Sequence, residues 1–420
     1  MTTLTNNALP ERRFTELPPL ALYIHLPWCV KKCPYCDFNS HEAKADLPES
    51  QYIDALINDL THEMPSVWGR TFSSVFIGGG TPSLFSAQAI HDLLSGVRAL
   101  TGLTPNAEVT MEANPGAMEA ARFHEFKSAG VNRLSIGIQS FNDTQLERLG
   151  RVHDANEAHK AIEIARGAGF DNLNLDLMFG LPEQDTDAAL NDVTTALGHQ
   201  PEHLSYYELT IEPNTRFAKF PPHVPDDDVR WDMQQAANER LSDAGFSRYE
   251  VSAWSQPGRQ SQHNLNYWLF GDYVGIGAGA HGKISFADTN RVVRRWKHKH
   301  PSAWMAADGS EKIGGEHTVA VADTGLEFMM NALRLTEGFR LTDFTTHTGL
   351  SIQPWLGAIE RGTAAGLLAR DAGRLYTTER GFELLNEVLA LFMDNTETGA
   401  LDAHSNTTTA SRITIPIKPA

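Results

Sequence analysis

Cysteine is scarce in this chain: three residues among 420, at positions 29, 33 and 36, and none elsewhere. An odd number packed so closely cannot build a disulfide framework and points to a metal or redox site in a reducing compartment. Basic charge is also short, with 35 Lys and Arg against 52 Asp and Glu and a formal net charge of −17. A surface of that sign repels phosphate backbones, which argues against nucleic acid as a partner. Long apolar runs are missing as well. The opening "MTTLTNNALPERRF" has no signal-peptide core, and no later stretch approaches the ~18–20 apolar residues of a membrane span. A cytoplasmic protein, not an integral membrane one, is therefore expected. With 41% hydrophobic residues at this length, one large domain and one or two smaller ones are expected.

What is present between residues 21 and 211 is an alternation of short β-rich runs and amphipathic helical stretches. The runs are "ALYIHL" (21–26), "SSVFIGG" (73–79), "EVTMEA" (108–113), "RLSIGIQS" (133–140), "NLNLDLMFG" (172–180) and "LSYYELTI" (204–211). The intervals leave room for a helical crossover each time, so the sheet should be parallel. Polar or glycine-rich residues close the runs: the cysteine loop, "GGGTP" (78–82), Glu112, Gln139, Asp176 and Glu208. Chemistry collected at one rim predicts a partial (β/α)6 TIM-like barrel, spanning 21–290 after a polar segment 1–20. Beyond it we expect a basic connecting segment (291–323) and a smaller helical, winged-helix-like domain (324–393). In that domain "LLARDAGRLYTTERG" reads as two short strands about a turn. The Thr, Ser and Asn of 394–420 predict a disordered tail.

Cys29, Cys33 and Cys36 are spaced C-x3-C-x2-C, and three thiolates suit either zinc or an iron–sulfur cluster. Zinc would need a fourth ligand, for which His25 and His41 are candidates. A cubane held by three cysteines leaves one iron open to an external molecule. C-x3-C-x2-C directly after a first strand, with Tyr35 before the last cysteine, resembles the radical S-adenosylmethionine superfamily, over about residues 20 to 380. The resemblance implies a [4Fe–4S] cluster on the three cysteines, its open iron taken by S-adenosylmethionine. It also implies cofactor contacts from Tyr23, Tyr35, Gly79, Gly80, Thr81, Glu112, Gln139, Arg151 and Asp176. Glycine permits close backbone approach, and an arginine suits the methionine carboxylate.

Within the superfamily the chain resembles the porphyrin-related branch, which holds the oxygen-independent coproporphyrinogen III dehydrogenases and their haem-chaperone paralogues. The dehydrogenase pattern resembles C-x3-C-x2-C-x-C, whereas Phe38 stands at the last position here; that enzyme's longer N-terminal arm helps enclose substrate, and about twenty polar residues precede the first strand here. "HNLNYW" (263–268) matches the H-N-x-x-Y-W signature of the chaperones, which implies haem contacts from His263, Asn264, Tyr267 and Trp268. Taken as residues alone, His263 and Asn264 could cap a turn while Tyr267 and Trp268 pack as core. "GAGAHG" with His281 and the basic "RRWKHK" are candidates for haem propionates. The expected function is to bind haem and pass it to acceptor proteins such as respiratory haemoproteins, with peripheral contact where the acceptor lies in a membrane and without dehydrogenase activity. The alternatives are oxidative decarboxylation of coproporphyrinogen III and a barrel that only binds.

Overall fold

The computed structural model describes residues 11–43 and 46–397. Its centre is a run of parallel strands in which each predicted β segment appears: β1 (Leu20–Leu26), β2 (Thr71–Gly79), β3 (Gly102–Ala113), β4 (Arg133–Gln139), β5 (Leu173–Phe179) and β6 (His203–Glu208). Six further strands complete the sheet: β7 (Ser247–Glu250) and β8 (Ala253–Ser255), then β9 (Asp272–Ile276), β10 (His281–Phe286) and β11 (Arg291–Lys297), followed by β12 (Ile313–Thr318). The order is β12-β11-β10-β9-β1-β2-β3-β4-β5-β6-β8-β7. From β9 to β6 all neighbours are parallel; the strands outside them are antiparallel. Closure is incomplete, as expected of a partial barrel, but the sheet is twice as wide as the six-strand reading.

The crossovers are α1 (Glu49–Glu63), α2 (Ala87–Leu100), α3 (Phe123–Ala129), α4 (Ala155–Gly167), α5 (Thr186–Gly198) and α6 (Asp227–Asp243). Their starts are written in the sequence. Ser86, Asp154 and Asp185 each accept a hydrogen bond from the backbone N–H three residues on, and Asp154 forms a capping box with Glu157. Gly130 ends α3 in the left-handed conformation. Alternate strand residues such as Leu22, Ile24, Val75, Ile77, Met111, Leu134 and Leu175 join the helices in one apolar core. The residues between them face inward and are unusually polar, including Tyr23, Ser74, Glu112, Ser135, Asn174, Asp176 and His203.

Two expectations need correction here. Residues 291–323 are no mere connector: β11 and β12 belong to the sheet, and the basic side chains of β11 meet carboxylates. Lys297 is buried between Asp59 and Glu63 at 2.6 Å from each, Arg295 pairs with Glu63 and Glu316, and Arg294 pairs with Glu327. The last helix runs from Leu385 to Glu397, into the region read as tail; the rest of that tail lies outside the described residues. The C-terminal unit has the expected hairpin, Leu368–Asp371 against Arg374–Thr377, with Phe339–Arg340 as its third strand. Its core is built on Phe328, Phe339, Phe344, Trp355 and Phe392, and Phe270 reaches into it from the barrel side.

Candidate functional site

The cysteines lie in the loop after β1, all free thiols of intermediate exposure. Trp28–Cys29 pairs with His41–Glu42, which folds the loop back on itself, and the Cys36 N–H donates to the Cys33 carbonyl at 3.1 Å. Burial pushes the Cys29 thiol up, while the neighbouring Thr81 and Ser40 hydroxyls pull it back. The glycine loop clamps on from below: Gly80 N donates to Leu26 O at 2.8 Å and Thr81 N to Trp28 O at 2.7 Å. A Cβ at Gly80 would stand 2.5 Å from the Trp28 carbonyl oxygen, and Gly79, at φ +115°, would drive one into the His25 ring. Only glycine lets the two loops touch. The Gly79 N–H is taken too, by Glu112 Oε2 at 3.0 Å, so a ligand amine at this loop would meet carbonyl oxygens.

Arg151 joins the two halves of the rim. Its guanidinium donates to Cys33 Sγ at 3.6 Å, to Asn114 Oδ1 at 2.8 Å and to the Gly137 carbonyl at 2.9 Å, and Asn114 in turn donates to Thr81 Oγ1 at 3.0 Å. Its Nε is buried without a partner. Burial opposes the charge, but the Tyr35 phenol and Cys33 outweigh it and hold the group above its ordinary value. Gln139 ends β4 at φ +70°, a left-handed conformation that turns its amide towards Gly137, beside Arg151. Glu112 is pushed up to about 7 by burial, opposed by the Gly79 N–H and assisted by Asp176. Asp176 is not at a strand end, as expected, but mid-strand, accepting from Ser135 at 3.0 Å and Asn174 at 2.8 Å inside the barrel. Glu208 stands apart from this group, exposed and paired with Arg230.

Tyr23 sits deeper, bonded at 2.9 Å to His25 Nδ1, whose Nε2 is 2.9 Å from the Asn39 carbonyl. With both nitrogens engaged, His25 braces the end of the cysteine loop. Asn39 then donates to the Ala278 and Lys299 carbonyls. Glycines 277 and 279 of "GAGAHG" lie against His25 and Asn39, so that motif packs under the loop, while His281 is exposed and stacks on Trp296.

The "HNLNYW" stretch forms a one-turn-plus helix, α7 (Gln262–Trp268), capped by Ser261 and seated on the inner face of the barrel towards the strand N-termini. His263 is 0% exposed. Its Nδ1 lies 3.0 Å from Ser74 Oγ, its Nε2 3.2 Å from the Tyr267 hydroxyl, and its ring stacks on Phe76. Burial, with Arg133 nearby, drives it down to about 3, so it is neutral. Tyr267 meets Tyr273 edge-on, Trp268 is covered by the Arg334 guanidinium, and Asn264 keeps a buried Oδ1 without a partner. The sequence-predicted residues thus form two groups, one at each end of the lumen.

The radical SAM superfamily profile matches residues 23–193, and the profile of the HemN C-terminal domain matches 320–384. The heme chaperone HemW of Escherichia coli strain K12 is 48% identical over 378 residues, covering 90% of this chain and 99% of the relative. The protein of that name from Haemophilus influenzae is 47% identical over 382 residues, with 90% and 99% covered. The chain belongs to the HemW family. A more distant HemW, from Bacillus subtilis, is 34% identical over 88% of this chain and 98% of its own length. Among solved structures, coproporphyrinogen III oxidase (HemN) from Escherichia coli superposes with a TM-score of 0.75 at 21% identity, covering 90% of this chain and 91% of the other; that likeness shows the fold.

In this HemW-family chain the donor set fits a [4Fe–4S] cluster. Among the described residues, no three His, Cys, Asp or Glu side chains converge as one metal ion requires. A cubane offers each thiolate its own iron and suits sulfurs that do not share a point, whereas a structural zinc site does not. His25, committed on both nitrogens, is no fourth ligand. The partnerless Nε of Arg151 and the amine-accepting side of the glycine loop fit an amino acid moiety. Asn114 was missed from sequence, although "NPG" directly after β3 marked a turn at the active rim; its role as the link between Thr81 and Arg151 depends on residues 33 and 37 positions away.

Proposed function

We propose that this protein is a haem chaperone: it binds haem and delivers it to haem-containing acceptors, respiratory ones among them, from the cytoplasm. Cys29, Cys33 and Cys36 hold the cluster, and Arg151, Glu112, Gln139, Asp176 and the glycine loop hold S-adenosylmethionine beside it. When bound, the pair supplies one-electron chemistry. The chain's own part is to orient the ligand, with Arg151 on its carboxylate and Glu112 close to its cationic portion, and to keep that end of the barrel polar. No described helix is long and apolar enough to cross a membrane, consistent with peripheral contact where an acceptor is membrane-bound.

The observation that carries the chaperone reading over decarboxylation is Phe38. It stands two positions after the last thiol, 42% exposed, where the dehydrogenase pattern carries a fourth cysteine. A phenyl ring can neither ligate nor exchange a proton there. Direct ligation of haem iron by His263 belongs to a state in which α7 has left its seat, since in the closed state neither ring nitrogen is open. The test is anaerobic reconstitution to about four irons per chain, followed by dithionite, S-adenosylmethionine and coproporphyrinogen III in one arm and a haem titration in the other. The expected result is near-stoichiometric haem binding and no protoporphyrinogen IX. Protoporphyrinogen IX above the reagent background would promote the decarboxylase reading instead.

A further inference from the structure

Three neighbouring strands each bring one polar side chain to the inner face beneath α7. Ser74 of β2 stands opposite Glu108 of β3 in the sheet register, and Arg133, the first residue of β4, stands opposite Thr110, two residues on from Glu108 and therefore on the same face. Ser74 holds the His263 ring. Glu108 holds the backbone: its Oε1 accepts from the His263 N–H at 3.2 Å and the Ser261 hydroxyl at 3.4 Å, and its Oε2 accepts from the Gln262 N–H at 3.2 Å. One buried carboxylate thus ties down the whole start of the helix.

The other end of α7 is tied to a different body. The Leu269 carbonyl lies 2.6 Å from Nδ1 of His347 in the C-terminal unit, and Phe270 is buried in that unit's core against Phe328. Phe270 has φ +61°, a left-handed conformation that a bulky residue rarely adopts and that persists only where its surroundings impose it. A helix freed at Glu108 therefore turns about residues 269–271 and stays attached.

Arg133 decides what that release costs. It is 2% exposed, its Nε is without a hydrogen-bond partner, and that atom stands 4.0 Å from Glu108 Oε2, an ion pair too long for a hydrogen bond. A buried carboxylate stripped of its donors is strongly destabilising. Here it has a second place to go, because a shift of about 1 Å brings it to the ~2.8 Å of a charge-assisted bond with the guanidinium.

We propose that Glu108 is a two-position latch on α7: bonded to the start of the helix it holds α7 shut, and bonded to Arg133 it lets the helix pivot outwards and uncover His263. The use of that motion rests on the haem-binding reading above, but the motion itself is measured without haem. Two alternative sets of partners for one carboxylate give two discrete states, as a carrier that must both enclose and present a ligand group requires.

The test is hydrogen–deuterium exchange of the 262–269 amides in the reconstituted full-length chain, with diethyl pyrocarbonate labelling of His263 alongside. Wild-type α7 is expected to exchange by local opening, faster than the barrel strands. Glu108→Gln should speed exchange and labelling about tenfold, the equivalent of one hydrogen bond to a charged group. Arg133→Met should slow both about tenfold, because the open state loses a direct bond where the closed state loses only an attraction across 4.0 Å, and it should change nothing in a Glu108→Gln background. That sign separates a latch from packing, since loss of a side chain that merely braces the barrel speeds exchange. Arg133→Gln, which also removes the charge, repeats the measurement should the methionine variant not fold. Faster exchange in the Arg133 variants, or α7 amides that exchange only at the rate of global unfolding, would overturn the latch. A latch that behaves as expected in a chain that takes up no haem would stand, and the chaperone reading would fall.

Discussion

Two motifs of equal prominence in the sequence end in opposite physical states. The cysteine loop is half-exposed, held by backbone clamps and by one arginine, with its sulfurs left for a ligand. The α7 helix is enclosed, and its histidine has each nitrogen engaged, its ring stacked and its charge suppressed. Both contain the residue types that bind iron. The difference lies in what the protein has already bonded: a group with unspent donors or acceptors is ready for a ligand, and one fully satisfied in the core first has to be released. A motif's chemistry therefore has to be read together with its hydrogen-bond accounts.

The largest expected effect breaks the comparison at the open end. Cys29→Ser, Cys33→Ser or Cys36→Ser should each reduce reconstituted iron from about four per chain to near zero, while the denaturation midpoint of the metal-free chain stays close to wild type, because the substitution is small and the sites are half-exposed. His263→Ala should do the reverse: full iron loading, but stability lower by roughly 2–4 kcal/mol, from a buried ring and its two hydrogen bonds. Its pH dependence sharpens the point. The folded imidazole sits near 3, well below its ordinary value of about 6.5, so the unfolded chain takes up the proton first. This residue's contribution to stability is complete above pH 6.5 and shrinks as pH falls towards 3. The gap between wild type and His263→Ala should narrow by up to ~1.4 kcal/mol per pH unit below 6.5. A gap that is constant with pH would mean the ring is not held neutral.

Much of the barrel was legible because its strands are buried on both faces and read as compact β-rich runs between capped helices. The rim was legible where glycine or cysteine left no other use for the position. Asp176 lies mid-strand because the lumen is lined by every second residue along a run, and not only by the residue that closes it. β11 was missed because Arg294, Arg295 and Lys297 resemble a solvated basic stretch; the carboxylates that bury them, Asp59, Glu63, Glu316 and Glu327, are mostly far away in sequence. Nothing local in "HNLNYW" announces that Ser74 and Phe76 close over the histidine. Asn114 failed for the same reason, its two partners lying on other elements.

The smallest expected effect concerns Glu112, the most finely poised group at the open end. Burial holds it near 7, with Asp176 adding repulsion, the Gly79 N–H opposing, and the neutral Tyr23 phenol nearby. Its carboxylate is therefore mostly protonated at pH 6 and mostly ionised at pH 8. S-adenosylmethionine carries a sulfonium and an ammonium, and a cation beside Glu112 favours the ionised form. Binding should then expel a proton below pH 7 and tighten as pH rises. Affinity is expected to be about tenfold stronger at pH 8 than at pH 6, with about half a proton released at pH 7. Calorimetric titration of the reconstituted chain in two buffers of different ionisation enthalpy counts that proton directly. Glu112→Gln should abolish the slope, whereas Asp176→Asn should shift it to lower pH by removing the repulsion, since the two carboxylates titrate as a pair. An affinity flat from pH 6 to 8, with no proton released, would place the cationic end of the ligand away from Glu112 and leave that carboxylate as a clamp for the glycine loop alone.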